Sequence, residues 1–275
     1  YRGDARRQLA GEAWQYWEPT LWKPNTDRHA ALAVMQRLLQ SGLLEEEASK
    51  RMSWTDAEEA SQRALVIDLE VSLAPSHAES GSIEAEIDAL VDYYNPSTYR
   101  IYNEPGTRPL PAETDPRFKK LWLRGFEAVP ILLKHLNDRR FTRTYSHIGR
   151  FHPSYPYRIS HVVADLLTGL AGSEAAVGAH EKERGSGKDI NPAKAEQWWK
   201  QARAIGEERY LLRHLLPAKN SEEARVNDHN AVLIAARYPR HLPALYREIL
   251  HHYPHAQSGQ LAQLLQESQR NSGNF

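Results

Sequence analysis

Phe126-Glu-Ala-Val-Pro-Ile-Leu-Leu-Lys-His-Leu136 and, after an arginine-rich interval, Arg158-Ile-Ser-His-Val-Val-Ala-Asp-Leu-Leu-Thr-Gly-Leu170 decide how this chain is read. Val129, Leu132, Leu133 and Leu136 fall at i, i+3, i+4 and i+7, and Ile159, Val162, Val163 and Leu166 repeat the spacing. Residues so spaced share one face of an α-helix, so each segment predicts a helix with an apolar stripe. Upstream, Asp115-Pro116 opens a further helix through Phe118, Leu121 and Trp122, and Gly125 stops it. The stretch from Asp115 to Gly172 therefore predicts helix, tight turn, helix, long basic loop, helix. The three helices are expected over 116–124, 127–136 and 159–170.

Towards the N-terminus, Asn25 or Thr26 is expected to cap a helix starting near Asp27, with Ala31, Val34, Met35 and Leu38 as its stripe and Gly42 as its end. Thr55-Asp-Ala-Glu58 has the form of a capping box. Leu65-Val-Ile-Asp-Leu-Glu-Val-Ser-Leu73 is ambiguous, because its apolar residues alternate as in a strand. No partner strand is evident, so a helix is expected. Ile83, Ile87, Leu90, Val91 and Tyr94 form another stripe, closed by Asn95-Pro96. Five prolines and Gly106 between Pro96 and Pro116 mark a connector, which separates an expected N-terminal helical portion (1–112) from the remainder (113–275). Before it, Trp14, Tyr16, Trp17 and Trp22 suit a hydrophobic anchor for the terminus.

Past Leu170, the glycine-rich, charged run from Gly172 to Asp189 predicts a surface loop, and Asn191-Pro192 restarts a helix with asparagine as cap and proline in the first turn. That helix carries Ala195, Trp198, Trp199 and Ala202 and ends at Gly206, before a partner helix over 207–216. Helices follow near 231–236 and 242–250, and a last stripe of Leu261, Leu264 and Leu265 runs into a polar tail.

Leu242, Leu245, Tyr246 and Ile249 bring the i, i+3, i+4, i+7 design to a third segment. Val129-Pro130 and Leu242-Pro243 share proline after the first apolar position, where a first-turn amide has no intrahelical acceptor to lose. On these residues, most clearly over 116–170, the chain resembles the HEAT-like family of helical repeats. That resemblance implies an all-α fold, an irregular α-solenoid of antiparallel helix pairs stacked on their neighbours. It also implies binding or scaffolding more often than catalysis. Roughly ten helices are expected from the stripes and ordinary helix lengths.

Composition bounds the function. The 275 residues balance 35 basic against 35 acidic side chains, which argues against a general nucleic-acid binder. The absence of cysteine removes thiol catalysis, disulfides and thiolate metal sites. No apolar run reaches the roughly 20 residues that span a membrane. The chain begins with Tyr1 rather than methionine, for which a cleaved export signal or a trimmed start accounts, export being the preferred reading.

The candidate contact surface is the loop from Arg139 to Ser160, which has no acidic residue. It carries Arg139, Arg140, Arg143, Arg150, His152, Tyr155, Tyr157 and Arg158, the residues expected to bind a ligand. Guanidinium forks match carboxylates and phosphates, and the tyrosine faces offer stacking. The competing expectation is that these arginines pair with acids elsewhere in the chain while the tyrosines pack the loop down. His251, His252 and His255 sit where a helix C-terminus favours a cation, and neither they nor His147, His152 and His161 show a metal-ligand spacing. No catalytic motif is present: Gly185-Ser-Gly187 lacks the strand-turn-helix setting, and Glu84, Glu86 and Asp88 read as a solvated helix face. No catalytic residue, metal or cofactor is therefore expected. The preferred reading is a non-enzymatic protein-binding or scaffold protein, a candidate subunit of a larger assembly. Its partners would be proteins, with an acidic or phosphate-bearing ligand as second choice and nucleic acid disfavoured. The alternatives are a helical-repeat enzyme or nucleic-acid protein that grips phosphate, and a carbohydrate or small-ligand binder using the tryptophans.

Overall fold

The computed structural model describes residues 26–41, 62–94, 115–146, 155–171, 191–215, 228–245 and 247. The expectations for the N-terminal tryptophans, the capping box at Thr55, the proline connector, the loop after Gly172 and the stripe from Leu261 lie outside those residues. Of the described residues 74% are helical. The elements in order are α1 (Arg28–Ser41), α2 (Gln62–Leu73), α3 (Ile83–Asp88) with a 3-10 turn (Ala89–Asp92), α4 (Pro116–Leu123) with a 3-10 turn (Gly125–Glu127), α5 (Val129–Lys134), β1 (Phe141–Ser146), β2 (Tyr155–Arg158), α6 (Ile159–Ala171), α7 (Pro192–Ile205), α8 (Glu207–Arg213), α9 (Asp228–Arg237) and a 3-10 turn (Pro239–His241). None of the described helices is long and apolar enough to cross a membrane.

The described residues are mostly helical, as expected, but the predicted long basic loop contains an antiparallel hairpin. Phe141 pairs with Arg158 and Ser146 with Tyr155, and the register shifts between Phe141 and Tyr145. Two compact units emerge. The first holds α1, α2, α3, the hairpin and the opening turn of α6; the second holds α4, α5, the rest of α6 and α7 to α9.

In the first unit α1 packs on α2, and α2 and the 3-10 turn after α3 pack on β1. Asp27, rather than Asn25 or Thr26, caps α1: its carboxylate accepts the N–H groups of His29 (3.0 Å) and Ala30 (3.1 Å). An ionised side chain there also meets the positive end of the helix dipole. The ambiguous segment is helical, as α2, but its buried face is not the alternating set. Val66, Asp68, Leu69 and Ser72 are buried, while Ile67 and Val71 are 51% and 52% exposed. The face follows the helical period, and its two polar members are buried because the hairpin bonds to them. The acidic side chains of α3 also depart from a solvated face: Glu86 is buried, and Asp88 accepts from Arg140 at 2.6 Å.

The second unit is built as its capping residues predict. Asp115 caps α4 through the Arg117 amide (2.9 Å), and Asn191 caps α7 through Ala193 (3.0 Å) and Lys194 (3.3 Å). α7 packs on α5 and on α8, α8 on α9, and α9 on α4. At the core, the Phe126 ring meets Trp198 (6.1 Å), Trp199 (5.3 Å) and Tyr210 (5.4 Å), mostly edge to face, as ring quadrupoles favour. Trp198 Nε1 donates to the Tyr210 hydroxyl (2.8 Å), which donates to the Ala171 carbonyl (2.7 Å), so no polar end of that cluster is stranded.

Glu207 ties three segments together. Its carboxylate accepts the Phe126 amide (3.0 Å), the Tyr238 hydroxyl (2.8 Å) and Arg237 Nη2 (2.7 Å), while Arg237 Nη1 also reaches the Leu123 carbonyl (2.9 Å). Burial works against the Arg237 charge, and Glu207 more than offsets it, so the guanidinium pKa is raised. Gly125 makes the approach possible: its φ is +61°, and a Cβ there would collide with the Glu207 carboxylate. Gly125→Ala is therefore expected to cost roughly 1–3 kcal/mol, combining left-handed backbone strain with a displaced carboxylate. Gly81→Ala is the control, at φ +85° with open space around it. Urea unfolding should show a larger loss for Gly125→Ala than for Gly81→Ala, and equal losses would remove the steric part of the account.

Candidate functional site

Arg143, Tyr155, Tyr157 and Arg158 of the predicted contact residues lie on the hairpin strands, and Arg139 and Arg140 lead into β1. Between Phe141 and Tyr145 the register shifts, a bulge or irregularity that sets four steps of β1 opposite two of β2. The Arg143 amide then donates to the Tyr93 carbonyl (2.9 Å), and the buried Thr142 hydroxyl donates to the Tyr157 carbonyl (2.8 Å).

That path delivers the arginines to carboxylates. Arg139, 64% exposed at its side chain, reaches Asp68 at 3.2 Å, and Arg158 reaches the same carboxylate at 2.7 Å. Arg158 also lies 5.0 Å over the Phe141 ring, a cation–π arrangement. Arg140 bonds Asp138 (2.7 Å) and Asp88 (2.6 Å). Burial disfavours its charge, but the bonds to Asp138 and then Asp88 prevail and raise its pKa. Arg143 bonds Asp92 (2.7 Å) and reaches Thr26 (3.3 Å). Four arginines against Asp68, Asp88, Asp92 and Asp138 leave no net charge among these pairs.

Beneath them, Arg28 is buried and donates to the carbonyls of Val91 (2.8 Å) and Thr142 (3.2 Å). Desolvation, then repulsion from Arg143, lower its pKa to about 10, so it keeps its charge at neutral pH. Tyr157 is buried, its ring 4.9 Å from that of His161, and His161 Nδ1 accepts the Arg158 amide at 3.0 Å. Arg150, His152 and the Tyr155 side chain lie outside the described residues. Thus Arg139, Arg140, Arg143 and Arg158 come together around β1, each already matched to an acid of its own unit.

A different surface in the second unit has the opposite character. α5 presents Pro130, Leu133 and Lys134, and α7 presents Glu196, Trp199, Lys200 and Arg203, lining a groove of about 380 Å³. Both sets follow the helical spacing that keeps side chains on one face. Trp199 is half-buried, held at its inner edge by Phe126, while Lys134, Lys200, Arg203 and Glu196 are exposed. Among the described residues none of the three cations is in an ion pair. Three cations against one carboxylate leave the groove with an excess of two positive charges. Sequence reasoning marked the tryptophan pair but not the groove, since Lys134 is distant from Lys200 in the chain and a stripe does not name its partner helix.

Among the described residues, no three histidine, aspartate or glutamate side chains gather as a metal site.

The pairing of Asp68 has a measurable consequence. Its side chain is 6% exposed and serves two guanidinium groups, whereas that of Asp92 is 48% exposed and serves one. Asp68→Asn is expected to lower stability by about 1–3 kcal/mol, since both arginines lose a desolvated partner. Asp92→Asn should cost under about 1 kcal/mol, because solvent screens that pair. Chemical denaturation of both variants checks the ranking, and the reverse order would contradict it. Comparison with protein-family models, with curated proteins and with solved structures finds no match for this chain.

Proposed function

We propose that this chain is a non-enzymatic protein-binding or scaffold protein, a subunit of a larger assembly, and that its contact face is the groove between α5 and α7. One observation carries the reading: this groove offers three cations that have no acidic partner among the described residues, beside a half-exposed indole. The described hairpin arginines, by contrast, would have to give up internal carboxylates before meeting external ones. Interfaces are enriched in tryptophan and arginine, which Trp199 and Arg203 supply here, because both bury large areas while keeping directional contacts. The helical-repeat reading draws support from the second unit, where α7, α8 and α9 pack in chain order, as stacked repeats do. A phosphate-gripping nucleic-acid protein would use the same cations and is the second reading.

Size-exclusion chromatography of the native source tests the proposal. The wild-type chain is expected to elute within an assembly, and a Lys200→Glu/Arg203→Glu double variant to elute apart from it with an unchanged melting temperature. Co-elution of the double variant with the intact assembly would overturn the assignment of the face. Dispersal of the assembly by nuclease would transfer the groove to the second reading.

A further inference from the structure

We infer that the groove between α5 and α7 takes an acidic peptide segment of its partner, in which one bulky apolar side chain lies against Trp199 with carboxylates on one side of it and uncharged residues on the other. The inference rests on the protein-binding reading above and adds the chemistry of the occupant. The floor is apolar, built from Pro130, Leu133 and the indole of Trp199, and a space of about 380 Å³ has room for one large side chain with its backbone. Phe126 holds the Trp199 ring edge to face at 5.3 Å, so the indole is positioned before any ligand arrives. A preset aromatic surface saves the ordering entropy that a mobile one would lose on binding.

The charged residues select the flanks. Lys134 stands on one wall, and Lys200 and Arg203 on the other. Lysine serves carboxylates as a point charge and arginine as a planar fork. Glu196 and Arg203 are seven residues apart on α7, roughly 10 Å along the helix axis at 1.5 Å per residue. Along α7 the lining thus runs from negative at Glu196 to positive at Lys200 and Arg203, which sets a direction. The carboxylate-rich end of the segment belongs beside Lys200 and Arg203, and an uncharged end beside Glu196. The same gradient disfavours a polyphosphate or nucleic-acid backbone, whose uniform negative charge would run past Glu196. The whole chain carries equal numbers of basic and acidic residues, so attraction arises from this local field and must weaken with salt.

Fluorescence anisotropy with a labelled Gly-Ser-Phe-Glu-Glu peptide, charged on one flank only, and the full chain tests the assignment. Comparison ligands are the same peptide with alanine at its centre, a lysine-flanked version and a single-stranded oligonucleotide. Binding of the glutamate peptide is expected, with affinity falling at least about tenfold in Lys200→Glu/Arg203→Glu and in Lys134→Glu on the facing wall. The alanine-centred peptide should bind about tenfold more weakly, the lysine-flanked peptide should not bind, and raising salt from about 50 to about 500 mM should release the complex. Circular dichroism of the variants confirms that these exposed substitutions leave the helices intact. Unchanged affinity in the folded variants, or an oligonucleotide that binds more tightly and displaces the peptide, would overturn the inference. If the glutamate peptide does not bind while the native assembly still depends on Lys200 and Arg203, the acidic occupant is wrong and the protein-binding face stands. If neither depends on them, both fall.

Discussion

A short β-ribbon set among helices has to find partners for backbone groups that its own two strands leave over, and the first unit is built around that requirement. A helix interior cannot help, because its amides and carbonyls are already bonded to each other. Side chains and helix ends do it instead. The Ser72 hydroxyl on α2 accepts the Phe141 amide at 2.6 Å and passes its own proton to the Asp68 carbonyl at 2.5 Å. Arg28 on α1 supplies the Thr142 carbonyl, and the Tyr93 carbonyl, just beyond the 3-10 turn, takes the Arg143 amide. α1, α2 and the residue that follows the 3-10 turn thereby each contribute a group to β1. Losing one partner would strand a buried amide or carbonyl, which costs about 1–3 kcal/mol.

The same constraint explains why the charge pattern misleads when read along the chain. The stretch from Arg139 to Arg158 is purely basic in sequence, but the bulge and the pleat carry its described arginines to Asp68, Asp88 and Asp92 on earlier elements and to Asp138 just before the strand. Asp68, Asp88 and Asp92 lie tens of residues from the arginines they meet, and of the four acids Asp138 alone is adjacent to the stretch. Asp68 and Ser72 are the sharper case. Ile67, Leu69, Val71 and Leu73 alternate like a strand, yet Ile67 and Val71 face out, since buried polar positions on α2 are set by what β1 needs. Alternation and helical period compete over so short a run, and only the partner decides. The hairpin itself left a signal that went unused: Phe141, Thr142, Thr144, Tyr145, Tyr155 and Tyr157 are strand-favouring residues.

The second unit was far more legible. Asp115, Asn191 and Gly206 mark helix ends through chemistry local to a few residues, and the apolar stripes of α4, α5, α6 and α7 are largely buried as their periodicity requires, with Leu133, Leu136 and Trp199 half-buried. What local rules could not supply was the pairing of faces. The groove exists because Leu133 and Lys134 on α5 stand beside Trp199, Lys200 and Arg203 on α7. The Glu207 knot likewise joins segments 30 to 81 residues apart, through a glycine whose only sequence mark was ending a helix. The proposed contact face therefore lies where, among the described residues, the helices leave cations unmatched, whereas the described hairpin arginines are each held by an acid of the first unit.

Native-state hydrogen exchange at the Phe141 amide, in the wild type and in Ser72→Ala, tests the account of that unit most directly. A buried ribbon held by helix side chains predicts exchange of this amide only through openings as costly as those of the α2 core. It also predicts that Ser72→Ala accelerates it by roughly one to two powers of ten, the equivalent of about 1–3 kcal/mol. Exchange at the rate of an open loop in the wild type, or a rate indifferent to Ser72, would contradict it.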